Sequence, residues 1–159
     1  MPNHQTHDLV CICSAPVISA ASLTYLQPRE ALLLGAGIIL TNLYLSPDLD
    51  TNSRLNKRWS VLNVLWIPYR RMFHHRSFWT HSGPISATVR ILYLLLILSP
   101  VLFVVSYHDL MYVAQQYRVE FLLFYVAACL SDTLHTGLDF IDYVRKIPFG
   151  FWKNSHRIN

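Results

Sequence analysis

The sequence predicts an all-α integral membrane helical bundle with about four hydrophobic spans, folded as a single domain over residues 1–159. Three observations predict it. Hydrophobic residues make up 53% of the chain and charged residues only 14%, about half the charged share of a soluble domain. The apolar residues gather in four stretches, at residues 9–26, 31–45, 91–107 and 119–130, each near the lower limit of about 17–25 residues for a bilayer crossing. The basic residues are spread unevenly about those stretches. A mean hydropathy of +0.30 excludes a disordered tail, a collagenous repeat and a charge-laced coiled coil, each of which needs a far more polar or periodic composition.

Taken in order, the N-terminal MPNHQTHDLV carries no Lys or Arg, so it lacks the basic start of a cleaved signal peptide and the first stretch is expected to be retained. Pro16 in the first stretch and Pro100 in the third are compatible with spans whose neighbours resatisfy the freed backbone groups. The second stretch is the shortest and contains Thr41 and Asn42, so a tilted or partly interfacial helix is expected there. Residues 61–69, VLNVLWIPY, read as an interfacial element with Trp66 and Tyr69 at headgroup depth. The fourth stretch runs on into a polar helical tail. Cys11, Cys13 and Cys129 are odd in number and lie in apolar stretches, which fits neither a disulfide framework nor a zinc-type Cys pair; all three are expected as small buried residues.

If all four stretches cross, residues 1–8, 46–90 and 131–159 share one side. That side holds Arg54, Lys57, Arg58, Arg70, Arg71, Arg76, Arg90, Arg145, Lys146, Lys153 and Arg157, leaving only Arg29 and Arg118 opposite. The excess of Lys and Arg places both termini and the long middle loop in the cytoplasm. The net charge of +4 is then a topology signal and an attraction to anionic membrane lipids, and no specific nucleic-acid partner is expected.

The same division collects seven of the eight histidines, and only His108 and Asp109 fall opposite. Imidazoles and carboxylates this dense in a charge-poor membrane chain are costly to desolvate unless they pair, bind ions or line a polar cavity. Four clusters stand out. His7 and Asp8 precede the first stretch, where Asp8 also suits an ordinary helix cap. Asp48 and Asp50 in SPDLD close the second, a spacing shared by oxygen-ligand loops and plain turns. His74, His75 and His81 fall within FHHRSFWTHS beside Arg76, three histidines that packing alone explains poorly. Asp132, His135, Asp139 and Asp142 follow; at about 100° per residue they fall at roughly 0°, 300°, 340° and 280°, one arc of about 80° on a single helix. A water-facing polar face would more often mix in Lys, Gln and Ser. The ligand types, imidazole and carboxylate without thiolate, suit Zn²⁺ first, with Mn²⁺ or Mg²⁺ as alternatives.

The ordered set THD, LSPDLD, Arg58–Trp59, WIPY, HRSFWTH and DTLHTGLD resembles a bacterial family of uncharacterised, predicted metal-binding membrane proteins over nearly the whole chain. More distantly it is similar to the YdjM-like membrane-bound metal-dependent hydrolases, and through them to the zinc-dependent phospholipase C and P1 nuclease superfamily, whose His-x-x-x-Asp pairs bind zinc ions that hydrolyse phosphoesters. His135 and Asp139 match one such pair. The chain departs from that superfamily in beginning Met1–Pro2. The resemblance implies a protein of the bacterial inner membrane with a divalent ion held among His7, Asp8, Asp48, Asp50, His75, His81, His135 and Asp139. That ion would lower the pKa of bound water towards about 7. Asp132 and His74 are then the general-base or supporting groups, and Arg58 and Arg76 would neutralise the charge of a phosphoester substrate. The rival expectation is a metal-binding or metal-transport protein without hydrolysis. The apolar runs between Asp8 and Arg29 and between Arg90 and His108 favour a site at the bundle end over an ion path along it.

Overall fold

A computed structural model describes residues 4–51, 57–74 and 77–146. Among the described residues every regular element is a helix, and there is no strand. The elements that position the site are α1 (His4–Ser22), α2 (Pro28–Leu45), a 3-10 turn (Pro47–Asp50), a second 3-10 turn (Ser60–Leu65), α3 (Trp66–Met72), α4 (Pro84–Val104), α5 (Tyr107–Gln116) and α6 (Arg118–Lys146). Three segments are long and apolar enough to cross a membrane by length and composition: Pro28–Asp50, Pro84–Val104 and Arg118–Arg145. The expected first span is not among them. Its helix begins in the polar HQTHD, carries Ser14, Pro16 and Ser19, and stops at Ser22, so the apolar run is diluted at one end and cut short at the other.

Proline and glycine set the element boundaries. Pro28 opens α2 at the first helical position, where its missing N–H costs nothing, and the Gln27 N–H donates to the Glu30 carboxylate at 3.0 Å. The helix ends because Ser46 precedes Pro47: steric conflict with the proline ring holds Ser46 extended, at φ −62° and ψ 153°. The chain then turns through Asp48 and Asp50. Gly83, at φ +61°, makes the turn into α4, and a Cβ there would sit 3.2 Å from Thr133 Oγ1. A side chain at position 83 would be strained by both the backbone and the neighbour.

α2 is the most buried of the three long apolar helices, and Thr41 and Asn42, which suggested a tilted or partly interfacial helix, both have buried side chains. Thr41 returns its hydroxyl to the Gly37 carbonyl at 2.8 Å, which satisfies the hydroxyl without water. At Gly37 the α2 backbone approaches α6 so closely that a Cβ would lie 2.8 Å from that of Ala127, the close small-residue crossing that lets helices associate by packing alone. Contacts fix the directions. Asp8 meets Asn42 and Ser19 meets Ala31, so α1 and α2 are antiparallel. Arg29 meets Glu120 and Ser46 meets His135, so α2 and α6 run the same way. Thr88 meets Tyr125 and Ser86 meets Asp132, so α4 opposes α6. The start of α1, the end of α2 and the start of α4 therefore all reach α6 at one end of the bundle.

Two apolar cores support this end. One joins Cys11, Ala15, Leu34, Ile38, Leu123 and Ala127; the other joins Leu45, Leu49, Trp66, Tyr69 and Tyr93. Trp66 and Tyr69, expected at headgroup depth, are each 0% exposed within the fold: Tyr69 packs edge-to-face on both Trp66 and Tyr93, and Trp66 lies tilted against Tyr93. The cysteines also divide, with Cys11 buried, Cys129 half-buried and Cys13 exposed. His7, Cys11 and Ala15 stack on the buried arc of α1 at helical spacing, and Cys13 falls outside it.

Candidate metal centre

The bundle end brings together side chains from four segments: His7 from the first turns of α1, Asp48 and Asp50 from the turn after α2, His81 from the loop before α4, and His135 with Asp139 from α6. His7 Nε2 lies 3.4 Å from Asp139 Oδ1, and His135 Nε2 lies 3.6 Å from Asp48 Oδ1 and 3.8 Å from Asp139 Oδ2. His81 Nε2 lies 3.9 Å from Asp48 Oδ1. The rings of His7 and His135 stack at 4.0 Å, with 19° between their planes.

These separations are compatible with ligation of a shared ion. They exceed the roughly 2.7–3.2 Å of a direct N–H···O hydrogen bond. Two donors each about 2.1 Å from a shared ion, at about 109°, lie about 3.4 Å from each other. The imidazole and carboxylate atoms are therefore near enough to one another to share a divalent ion. Those of His7, His135 and Asp139 all lie within 4.8 Å of one another, as do those of Asp48, His81 and His135. His135 belongs to both triads. Its Nδ1 faces Ser46 Oγ at 3.5 Å, so Nε2 is the one nitrogen it offers, and the two triads overlap as parts of a single centre.

The tautomer of His81 follows from its neighbours. The Thr80 hydroxyl is within 3.2 Å of the Ser77 carbonyl, to which it donates. It then accepts from His81 Nδ1–H at 3.0 Å. Asp50 Oδ2 lies 3.5 Å from the same nitrogen. With its proton on Nδ1, His81 presents the Nε2 lone pair towards Asp48, the arrangement in which an outer acceptor orients a ligating imidazole. Asp50, expected as a ligand, thus sits behind His81.

Other expected residues are placed differently. Asp8 accepts from Asn42 Nδ2 at 2.9 Å and from Arg58 Nη2 at 2.6 Å, outside both triads. Arg58 also donates to the Leu43 carbonyl, so it ties the α1 start to the end of α2. Asp132 shares its helix arc with His135 but points to the α4 side of α6, where Arg90 and Ser86 both donate to its Oδ2. Both members of that ion pair are 1% exposed, which leaves Asp132 engaged as a structural anion rather than open for proton transfer. His74 is exposed. His75 and Arg76 lie outside the described residues.

The sequence reading missed Arg90, Ser46, Thr80 and Asn42 as site-supporting groups. Arg90 carried a signal, a lone cation within TVRILYLLLIL, since an arginine inside an apolar span needs a buried partner. Near it, the Tyr69 phenol is pushed up to about 12, first by burial, with Asp50 also raising it and Arg90 opposing.

Fold and site together define an all-helical protein with a His/Asp centre of metal-binding type at one end of its bundle. The chain belongs to the family described as uncharacterized metal-binding protein (DUF2227), whose profile matches residues 2–147. An uncharacterized protein of Aquifex aeolicus (strain VF5) is 38% identical over 61 residues, 38% of this chain. The match spans 43% of that relative's length. No solved structure matches the chain.

Proposed function

We propose that this protein sits in the bacterial inner membrane with the His/Asp centre at its cytoplasmic end, where a divalent ion, Zn²⁺ in the first instance, serves hydrolysis of a phosphoester. The observation that carries the reading is the co-ligand spacing of His7, Asp48, His81, His135 and Asp139, contributed by four segments far apart in sequence. Gathering Asp48, Asp50 and Asp139 among three imidazoles sets like charges together in a semi-buried place, which a bound cation offsets. Asp48 and Asp139 keep 23% of their side-chain surface exposed, so water and substrate have access. Membrane placement is supported by the three apolar helices and by the exposed Leu92, Leu95, Leu96 and Val101 on α4. Orientation is supported by Lys57, Arg58, Arg70 and Arg71 at the site end, against Arg29 and Arg118 at the other.

When bound, a divalent ion supplies Lewis acidity and lowers the pKa of coordinated water towards about 7. The chain's own residues do the rest. Thr80 and Asp50 hold the proton of His81 at Nδ1, and Ser46 does the same for His135. Arg58 and Arg76 are assigned to the substrate phosphate charge, and His74 to proton transfer. Asp132 is assigned a supporting role through Arg90.

The test is metal content of the purified protein together with release of phosphate or a phosphorylated headgroup from lipid and nucleotide substrates. Metal retention with turnover that Asp139→Asn abolishes is expected. Metal retention without any turnover above the Asp139→Asn background would replace hydrolysis by metal binding or transport.

A further inference from the structure

The segment joining α2 to α4 presents a surface that the metal centre does not use. The turn Ser60–Leu65 has no buried residue, and Val61, Leu62 and Val64 are 84%, 56% and 58% exposed. In α3 the buried face is Trp66 and Tyr69; at about 100° per residue Ile67, Pro68, Arg71 and Met72 occupy the opposite arc, and all four are exposed. Further on, Phe78 and Trp79 are 63% and 54% exposed, with their rings edge-to-face at 5.8 Å. They immediately precede Thr80 and His81, so this surface continues into the loop that supplies a candidate ligand.

Charge says what covers it. No Asp or Glu occurs anywhere in residues 51–108, while Lys57, Arg70 and Arg71 lie on this same segment. A water-facing loop seldom combines a run of exposed aliphatic and aromatic side chains with unbalanced positive charge. The headgroup layer of an anionic membrane takes up both, rings and aliphatic groups at the acyl boundary and cations at the phosphates. The segment also leaves the bundle at the end of α2 and re-enters it at the start of α4, two helices of spanning length, so it is held at the plane where those helices emerge.

We infer that residues 60–72 with Phe78 and Trp79 dock on the headgroup layer of an anionic bilayer, so that the phosphoester presented to the metal centre belongs to a membrane lipid and not to a solute in water. The substrate half rests on the hydrolase reading; the docking half does not. In the reaction, the oxygen of water bonds to phosphorus as the ester P–O bond breaks, and the departing alcohol oxygen takes up a proton.

The full chain, with its three cysteines replaced by serine, is placed in discs of phosphatidylcholine with phosphatidylglycerol and carries a nitroxide at Leu62→Cys, Ile67→Cys or Phe78→Cys. Each label is expected to be more accessible to oxygen than to a water-soluble nickel complex. Greater nickel than oxygen accessibility at all three sites overturns the docking. A Phe78→Ser, Trp79→Ser variant, altered only at exposed positions, is expected to lose about tenfold of turnover on vesicle phosphatidylglycerol, about 1.4 kcal/mol, while turnover of a soluble bis(nitrophenyl) phosphate is unchanged. Equal loss on both substrates overturns the lipid assignment. If the parent hydrolyses neither, the hydrolase reading and the lipid substrate fall together, and the nitroxide accessibilities still decide the docking.

Discussion

Removing the charge of Asp132 tests the buried support of the site most directly. Arg90 and Asp132 are each 1% exposed, and Arg90 Nε has no hydrogen-bond partner among the described residues. Asp132→Asn therefore strands a guanidinium in an apolar bundle. Breaking a buried pair from one side costs about 3–5 kcal/mol. The near-complete burial of both members puts this pair at the middle of that range, about 4 kcal/mol. For a chain of this size a loss of 1 kcal/mol moves Tm by about 2–4 °C, so a fall of about 8–16 °C is expected in detergent. Converting both residues to apolar ones, Arg90→Met with Asp132→Leu, removes the stranded charge and should restore most of the loss, since apolar replacement of a whole buried pair is often neutral or stabilising. Thermal unfolding of the parent, Arg90→Met, Asp132→Leu and the double variant gives the coupling energy. A single Asp132→Asn variant within about 1 kcal/mol of the parent, or a double variant no better than the single ones, would refute the assignment of this pair as a clamp between α4 and α6.

Three further outcomes are expected. His135→Ala should reduce bound divalent metal from one ion per chain to near none, because its Nε2 faces both triads, whereas His108→Ala at the opposite end should leave the content unchanged; elemental analysis of purified protein measures both. Asp50→Asn should weaken metal affinity by about 10–100-fold through the orientation of His81, read by competition with a chelating dye, and an unchanged affinity would show that Thr80 alone sets the ring. Alkaline stability should depend on Tyr69: its phenol is raised from 10.0 to about 12, so the folded chain keeps it neutral where the unfolded chain ionises. That stabilisation is fully present below about pH 10 and falls by about 3 kcal/mol as pH rises towards 12. Denaturant titrations of Tyr69→Phe should lack this loss.

Local pattern carried much of this protein. Apolar runs marked α2, α4 and α6 because helix length and hydropathy are properties of contiguous residues. Pro47 announced the end of α2, since a residue before proline avoids the helical region wherever it occurs. The spacing of His135 and Asp139 placed them on one face of α6 by helical geometry alone, and the uneven split of basic residues between the loops grouped the four ligand clusters on one side. What periodicity does not contain is the rotation of each helix about its axis and the identity of the neighbour it meets. α6 lies between α1 and α4, so an arc of about 80° is split: His135 and Asp139 turn towards His7 and Asp48, while Asp132 turns to Arg90, a residue 42 positions away. The same non-local choice sends Trp66 and Tyr69 into the core and leaves Ile67 and Met72 outside. Asp50 reads in sequence as a ligand equal to Asp48, and only the packed turn sets one carboxylate before His81 and the other behind it. Ligand types and helix faces are local chemistry; which atoms finally face one another is decided by close packing between segments distant in the chain.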